Sequence, residues 1–190
     1  LYTHGVTSGV PPSKKLTHKP DKRSVTQGWT FKTSRSNTKF LYSVDETKLT
    51  GDGFCLSLTV KDCPSNSDDW ANTRAKLFKR FARLGMVRIH WLTEWQKRGV
   101  PHLHCAVWFD NPPPRILGFI RDAWLDVASE YNPISYAQHI ELIKNDLHWF
   151  KYLAKHASRG AGHYQRSKDA IPSGWIKTGR MWGYRGEWPK

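Results

Sequence analysis

Two histidines separated by one residue are the part of this sequence best suited to chemistry. His102 and His104 lie in the apolar run Pro101-His102-Leu103-His104-Cys105, which is typical of a β-strand. Because side chains alternate along a strand, both imidazoles should point to one face of a sheet. Two neutral imidazoles on one face can supply half of the ligands for a divalent cation. The pair therefore predicts part of a metal site.

Glu94 is the candidate for a third metal ligand. It lies eight residues before His102, on a predicted strand that a short turn would bring back antiparallel to the histidine strand. One carboxylate and two imidazoles leave coordination positions of Mg²⁺ or Mn²⁺ open for phosphate oxygens and water. His90, four residues before Glu94 and on the same face, could orient a ligand. A cross-strand ion pair of Glu94 with Lys97 or Arg98 is the competing interpretation.

A tyrosine and a lysine follow on a predicted helix over 146–158. Tyr152 comes fifty residues after His102, and Lys155 lies one helical turn further on. A phenol becomes a useful nucleophile when a metal, base or cation assists it, although an ordinary solvated lysine is the alternative for Lys155. Residues spaced by about 100° predict two sides for this helix. The apolar side holds Leu147, Phe150, Leu153, Ala154 and Ala157, and the other holds His148, Lys151, Tyr152 and Lys155.

The charge of the chain favours a polyanionic partner. A net charge of +14 over 190 residues suits nucleic acid or an anionic membrane surface. The membrane is the weaker choice, because no apolar run approaches the roughly 20 residues of a membrane span and no signal peptide opens the sequence. The first residue is Leu1, so we expect a processed product. Cys55 and Cys105 lie in apolar runs and, with Cys63, are expected to be free thiols in a reducing compartment.

Aromatic side chains interleaved with cations predict a surface for single-stranded nucleic acid. The chain has ten tryptophans, several of them within three residues of a lysine or arginine. Core packing is the alternative for any one of these tryptophans. The residues predicted to contact nucleic acid are Arg74, Lys79, Arg80, Arg83, Lys151, Arg159, Arg180, Trp182 and Arg185.

The elements that must position these groups predict an α+β fold, with a central and mainly antiparallel sheet covered by helices. Residues 1–40 carry much positive charge and three prolines, which predicts a basic arm that becomes strand-like near Lys39 to Val44. Residues 41–190 are predicted to form the folded domain. Its predicted strands are 53–60, 86–95, 101–109 and 134–143, its helices are 67–84, 115–131 and 146–158, and 159–190 is a basic tail.

Three short motifs, in order, resemble those of the HUH endonucleases. They are Phe54-Cys55-Leu56-Ser57-Leu58-Thr59, Pro101-His102-Leu103-His104 and Tyr152-Leu153-Ala154-Lys155. Within that superfamily the chain looks most like the single-tyrosine rolling-circle replication initiators, or Rep proteins, of phages, plasmids and small single-stranded DNA viruses. Gly179-Arg180-Met181-Trp182-Gly183 is similar to an element of the bacteriophage type. The resemblance spans about residues 54–183.

The resemblance implies a site and a reaction. The two histidines would lie on a central strand with the tyrosine helix packed against it, Glu94, His102 and His104 would bind Mn²⁺ or Mg²⁺, and Tyr152 would be the nucleophile, aided by Lys155. In some relatives the third ligand lies four residues after the tyrosine, where this chain has His156. Nicking of single-stranded DNA at an origin hairpin would give a 5′-phosphotyrosine and a 3′-hydroxyl, and the strand could be rejoined. A bacterial cytoplasm, a phage or plasmid gene, and a host polymerase and helicase would complete the setting.

Other functions remain compatible with the sequence. A single-tyrosine transposase of the same fold would use the same chemistry, and His156 as the third ligand would favour it. A non-catalytic protein that binds single-stranded nucleic acid would show steep salt dependence without needing Tyr152. A metal-dependent phosphoesterase that transfers to water would form no covalent product. The sequence leaves open the origin sequence, the physiological metal and the oligomeric state.

Overall fold

A five-stranded antiparallel sheet forms the centre of the protein. The computed structural model describes residues 27–144 and 146–190. Its strands are β1 (Asp52–Thr59), β2 (Met86–Trp95), β3 (Pro101–Phe109), β4 (His139–Leu142) and β5 (Trp182–Arg185). Its α-helices are α1 (Phe31–Tyr42), α2 (Ser67–Arg83), α3 (Ile116–Val127) and α4 (Asp146–Ala157). The strand order is β4-β1-β3-β2-β5, so the histidine strand is central. The predicted α+β fold is confirmed.

A tight turn fixes the register of the two strands that matter most. The Gln96 amide donates to the Val100 carbonyl at 2.9 Å, and Gly99 has a φ of 73°, which is costly for a residue with a side chain. The resulting antiparallel pairing places Glu94 directly opposite His102. The predicted hairpin is therefore confirmed, and its pleat puts both side chains on the same face of the sheet.

Each face of the sheet has its own helices and its own core. On one face, Leu103, Cys105 and Val107 of β3 join a cluster that contains apolar side chains of α2 and α3. On the other face, Ala106 and Trp108 join a cluster that contains side chains of α1 and α4. Because strand side chains alternate, His102 and His104 belong to the second face. The tyrosine helix therefore covers the face that carries the histidines.

The N-terminal part of the described chain is helical where we expected a strand. Lys39 to Tyr42 end α1, which starts at an N-cap where the Thr30 side chain accepts a hydrogen bond from the Thr33 amide. Phe40 and Leu41 of α1 are buried in the second core. The predicted boundary at residue 40 thus falls inside a helix, because packing against α4 outweighs the weak helix propensity of its many serine, threonine and asparagine residues. Residues 1–26 of the predicted arm lie outside the described residues.

The C-terminal part of the chain is not the tail that we expected. Trp175, Met181 and Trp188 are buried, and β5 adds an edge strand beside β2. The predicted strand over 134–143 is also shorter than expected, because Ser135–Ala137 form a 3₁₀ turn before β4. In both places long-range packing decides a structure that local spacing did not reveal.

Candidate metal centre and tyrosine site

Glu94, His102 and His104 come together on the face of the sheet covered by α4. One possible ligand atom from each residue lies within 4.8 Å of the other two, and Glu94 Oε2 is 3.4 Å from His104 Nε2. The hairpin register explains this convergence, since Glu94 is opposite His102 and Leu92 is opposite His104. The predicted triad is therefore present as a candidate metal site.

The donor set fits a divalent cation such as Mn²⁺ or Mg²⁺. His104 Nδ1 is hydrogen-bonded to Ser57 Oγ at 2.7 Å, whereas the buried His104 Nε2 has no hydrogen-bond partner among the described residues. An imidazole held through Nδ1 with a free Nε2 is the usual state of a histidine ligand. Burial, followed by the neighbouring His104, lowers the pKa of His102 to about 3, and burial lowers the pKa of His104 as well. Both rings are thus kept in the neutral form that binds metal.

Two arginines compensate the buried charge of Glu94. Arg166 Nε donates to Glu94 Oε1 at 2.8 Å, and Arg159 Nη1 donates to Glu94 Oε2. Burial alone would raise the pKa of Glu94, but the hydrogen bond with His104 and the positive charges nearby lower it to about 2. Glu94 is therefore ionised and bound to guanidinium groups. The predicted ion pair with Lys97 or Arg98 is wrong, because Arg98 instead donates to Gln96 Oε1 at 2.8 Å and to backbone carbonyls.

His156, the alternative third ligand, also lies next to the triad. Its ring centroid is 4.7 Å from that of His104, and its Nδ1 is 4.0 Å from Glu94 Oε2. Burial lowers the pKa of His156 well below its usual range, and the buried Nδ1 has no hydrogen-bond partner among the described residues. The structure therefore places both candidate third ligands, Glu94 and His156, at one centre.

The predicted orientation of the tyrosine helix is wrong. Tyr152 was expected on a polar side, yet only 6% of it is exposed and it packs in the second core, while Phe150 is 51% exposed. The side that faces the sheet contains Trp149, Leu153 and His156 as well as Tyr152. The expectation failed because it treated tyrosine as polar and omitted Trp149, whose ring stacks on Tyr152 at 5.6 Å. The side chain of Leu147 lies outside the described part of the chain.

The phenol of Tyr152 is held by a buried histidine of β2. The distance from Tyr152 Oη to His90 Nδ1 is 2.9 Å, and His90 Nε2 is 2.8 Å from Asn37 Oδ1 of α1. Burial raises the pKa of Tyr152 well above its usual value and lowers the pKa of His90 to about 3. The resting pair is therefore a neutral phenol and a neutral imidazole. His90, expected to orient a metal ligand, instead contacts the tyrosine.

Tyr152, Lys155 and His104 line one cavity. It has a volume of about 200 Å³ and lies between α4 and strands β1 and β4. Lys155 is exposed there, and burial together with Arg159 lowers its pKa. Lys151, a predicted nucleic-acid contact, lines the same cavity. Nucleophile, cation and metal-ligand candidates thus share an opening.

Four of the predicted nucleic-acid contacts lie on α2, which covers the opposite face of the sheet. Arg74 stacks over the Trp91 ring at 3.8 Å, Arg80 forms an ion pair with Asp126, and Lys79 and Arg83 are exposed. Arg185 also lies on that face, over the Phe78 ring at 5.3 Å. The structure therefore does not bring these five residues to the triad.

The other predicted nucleic-acid contacts have varied surroundings. Arg159 contacts Glu94 directly, which makes it part of the candidate centre. Arg180 and Trp182 line a groove between α1 and β5 that also contains Lys32 and Tyr184. This groove combines exposed cations with aromatic rings on the α1 side of the sheet.

Several residues of the site were not predicted. Arg166 is completely buried and binds Glu94, and its guanidinium stacks over the Trp29 ring at 3.9 Å. Asn37 and Ser57 bind His90 and His104. One signal could have pointed to Arg166: a carboxylate expected on a buried strand requires a cationic partner, and the segment after α4 is rich in arginine.

Comparisons with known proteins place this geometry in a family. No described helix is long and apolar enough to cross a bilayer. No solved structure matches the chain significantly. A family model described as replication-associated protein ORF2 matches residues 53–181, which include the triad, Tyr152 and Arg166.

Individual relatives agree with the family model. The chain is 47% identical over 191 residues to a replication-associated protein of Pseudomonas phage Pf3, which aligns 99% of this chain and 69% of the relative. A provisionally named replication protein of Xylella fastidiosa (strain Temecula1) is 47% identical over 190 residues, covering 100% of this chain and 72% of the relative. A second one from the same species is 46% identical, covering 100% and 66%. The chain therefore belongs to the ORF2 family of replication-associated proteins.

Proposed function

We propose that this replication-associated protein is a metal-dependent endonuclease of the HUH type. It nicks single-stranded DNA at a replication origin through a covalent bond to Tyr152 and later rejoins the strand. The observation that carries the proposal is the common cavity of Tyr152, Lys155 and His104, beside the Glu94, His102 and His104 triad. This arrangement places a nucleophile, a cation and a candidate metal site around one space that a phosphodiester can enter.

The chemistry is a transfer of one phosphodiester bond. Tyr152 Oη forms a bond to phosphorus and the bond from phosphorus to the 3′-oxygen breaks, which leaves a 5′-phosphotyrosine and a free 3′-hydroxyl. When bound by Glu94, His102 and His104, Mn²⁺ or Mg²⁺ would supply Lewis-acid stabilisation of the charge on the phosphate. The free hydroxyl can prime a host polymerase. Because the new bond is again a phosphodiester, a later 3′-hydroxyl can reverse the transfer without ATP.

Lys155 and Arg159 are suited to hold the phosphate. Lys155 lines the cavity one turn after Tyr152, and Arg159 lies beside Glu94 at the edge of the triad. Lysine and arginine donate hydrogen bonds to phosphate oxygens and stabilise the charge that develops in phosphoryl transfer. We assign Lys155 to the scissile phosphate, Lys151 to a neighbouring phosphate, and the groove of Arg180 and Trp182 to flanking single-stranded DNA.

A covalent-capture experiment tests the proposal without knowledge of the origin. The protein is incubated with Mn²⁺ and a pool of single-stranded oligonucleotides that contain randomised hairpins, each labelled with different dyes at its 5′ and 3′ ends. We expect a denaturant-resistant adduct that keeps the 3′ dye, together with a released fragment that carries the 5′ dye and a 3′-hydroxyl. Sequencing the captured DNA then gives the cleavage site.

Matched variants identify the nucleophile in the same experiment. Tyr152→Phe should abolish the adduct, whereas Tyr136→Phe should not, because Tyr136 is a 90% exposed tyrosine. Cleavage that persists in Tyr152→Phe would replace the proposed nucleophile by water. Binding of the pool without any adduct in the parent protein would favour a non-catalytic nucleic-acid-binding protein.

A further inference from the structure

The hydrogen bonds of His90 determine its tautomer. Asn37 Nδ2 donates to the backbone carbonyl of His156 at 3.4 Å, so its Oδ1 faces His90 Nε2 at 2.8 Å. An amide oxygen can only accept, so Nε2 must carry the hydrogen of the neutral ring. His90 Nδ1 is then an acceptor, and the Tyr152 hydroxyl donates to it at 2.9 Å. The lone pairs of Tyr152 Oη remain available for a bond to another atom.

Packing fixes this hydrogen-bonded chain in place. His90 and Asn37 are completely buried, and the His90 ring stacks on Phe40 with a centroid distance of 5.4 Å and an interplanar angle of 11°. The two residues come from β2 and α1, while Tyr152 comes from α4. Three elements of one core therefore converge on the phenolic hydrogen. Such convergence needs an explanation, because burying a hydrogen-bonded polar group gives little net stability over an apolar side chain.

Neighbouring groups are less suited to take the phenolic proton. Lys155 as an ammonium group has no lone pair with which to accept it. The ring of His156 is 4.5 Å from that of Tyr152 between centroids, but its free Nδ1 lies towards Glu94 Oε2. His90 Nδ1, in contrast, is already within hydrogen-bond distance of the attacking oxygen.

We propose that His90 accepts the phenolic proton of Tyr152 when its oxygen attacks phosphorus, and that Asn37 holds His90 in the tautomer that can do so. The proposal rests on the proposed function of Tyr152 as the nucleophile. It assigns a base to the reaction and gives α1 a part in catalysis. The high pKa of the buried phenol agrees with this role, because a phenol that stays protonated at rest must lose its proton during the attack.

The proton balance of the step is complete. The Oη–P bond forms, the P–O3′ bond breaks, the phenolic proton moves to His90 Nδ1, and the departing 3′-oxygen takes a proton from water. His90 then carries one additional proton while the covalent intermediate lasts. In the rejoining step the 3′-hydroxyl attacks phosphorus and loses its proton to water, and His90 returns its proton to the leaving Tyr152 oxygen.

The test measures single-turnover formation of the adduct on the captured DNA sequence, together with DNA affinity. His90→Phe keeps an aromatic ring but removes the acceptor, and His90→Asn offers an amide oxygen that accepts a hydrogen bond without acting as a base. We expect both variants to lose about 100-fold or more in rate, with DNA affinity within about threefold of the parent. Phe40→Leu is the packing control, since it disturbs the His90 stack but keeps the acceptor, and it should stay within about tenfold.

An independent measurement reports the hydrogen-bonded chain without catalysis. The ¹⁵N chemical shifts of the His90 ring should show a protonated Nε2 and an accepting Nδ1, and the Nδ1 signal should shift in Tyr152→Phe. Full activity in His90→Phe, or recovery of the parent rate in His90→Asn, would overturn proton transfer to His90 while the proposed function stands. A parent protein that forms no adduct on any DNA would overturn the proposed function and this inference together.

Discussion

Arg166 donates through Nε to Glu94 Oε1 at 2.8 Å, and both side chains are completely buried. The same guanidinium also donates to the backbone carbonyls of His156 and Arg159. One side chain thus neutralises a candidate metal ligand and ties the end of α4 to the segment that follows it. The position of Glu94 therefore depends on a residue 72 positions further along the chain.

Arg166→Met should strongly destabilise the fold. The substitution leaves Glu94 charged and buried with one cation fewer, and breaking such a pair typically costs about 3–5 kcal/mol. Glu94→Gln in the Arg166→Met background should recover part of that loss, because it removes the uncompensated charge. Urea unfolding of the four proteins of this cycle measures the coupling. Arg80→Met, which breaks the exposed pair with Asp126, is the control and should cost about 1 kcal/mol or less.

Ser57→Ala should weaken metal binding although Ser57 is not a ligand. The serine hydroxyl holds His104 Nδ1 at 2.7 Å, and the loss of such a partner typically reduces metal affinity by about 10–100-fold. Titration calorimetry with Mn²⁺ measures the affinity, and His104→Ala should remove the binding altogether. His139→Ala, which changes an exposed histidine, should leave the affinity unchanged. Equal affinities for Ser57→Ala and the parent would contradict the assignment of His104 as a ligand.

Tyr152→Phe should reduce stability as well as abolish the proposed adduct. It leaves His90 Nδ1 buried without its partner, and an unsatisfied buried polar group costs about 1–3 kcal/mol. Tyr136→Phe removes a hydroxyl from an exposed ring and should change stability by less than about 0.5 kcal/mol. Urea unfolding at neutral pH compares the two variants. An unchanged midpoint for Tyr152→Phe would contradict the buried hydrogen bond.

The metal-free protein should lose stability in acid partly through His90. Burial lowers its pKa to about 3 in the folded protein, whereas an unfolded histidine has a pKa of about 6.5. Between these values the unfolded chain binds a proton that the folded chain does not, so stability falls as the pH falls. His90 should contribute about 1.4 kcal/mol per pH unit to this slope. Urea unfolding with a chelator at about pH 6 and about pH 5 should therefore show a shallower slope in His90→Phe than in the parent.

The two faces of the sheet should respond differently when cations are removed. Lys151 lines the cavity with Tyr152, whereas Lys79 lies on α2 across the sheet. Each lost contact with a phosphate of single-stranded DNA should reduce the slope of log affinity against log salt by about 0.7. We expect that reduction for Lys151→Ala and no change for Lys79→Ala, with fluorescence anisotropy as the measurement. The reverse result would place the DNA on α2.

Local patterns were sufficient to predict the metal-ligand hairpin. Strand alternation and the turn at Gly99 determine which side chains of β2 and β3 share a face, so Glu94, His102 and His104 could be grouped from spacing. The helix over 146–158 was also recognisable, but its orientation was not. Tyr152 is amphipathic, and whether its ring is buried depends on Trp149 and on the sheet beneath it.

Residues that act at long range carried no local signal. Arg166 lies in a segment that has no regular periodicity, and Asn37 lies in a helix whose composition favours turns. Their roles depend on contacts with Glu94 and His90 that no spacing rule can supply. The described structure was therefore needed to connect α1 and the C-terminal segment with the site.

The late position of Arg159 and Arg166 affects the order of assembly during synthesis. A ribosome makes Glu94 and the histidine hairpin well before it makes the two arginines, which follow Glu94 by 65 and 72 residues. Until those residues emerge, closing the hairpin under α4 would bury a carboxylate without compensating charge, which is unfavourable. Strand β5, which completes the sheet, is made later still. Nascent chains therefore reach the assembled site only near the end of translation of this segment, so partly synthesised copies cannot cut DNA.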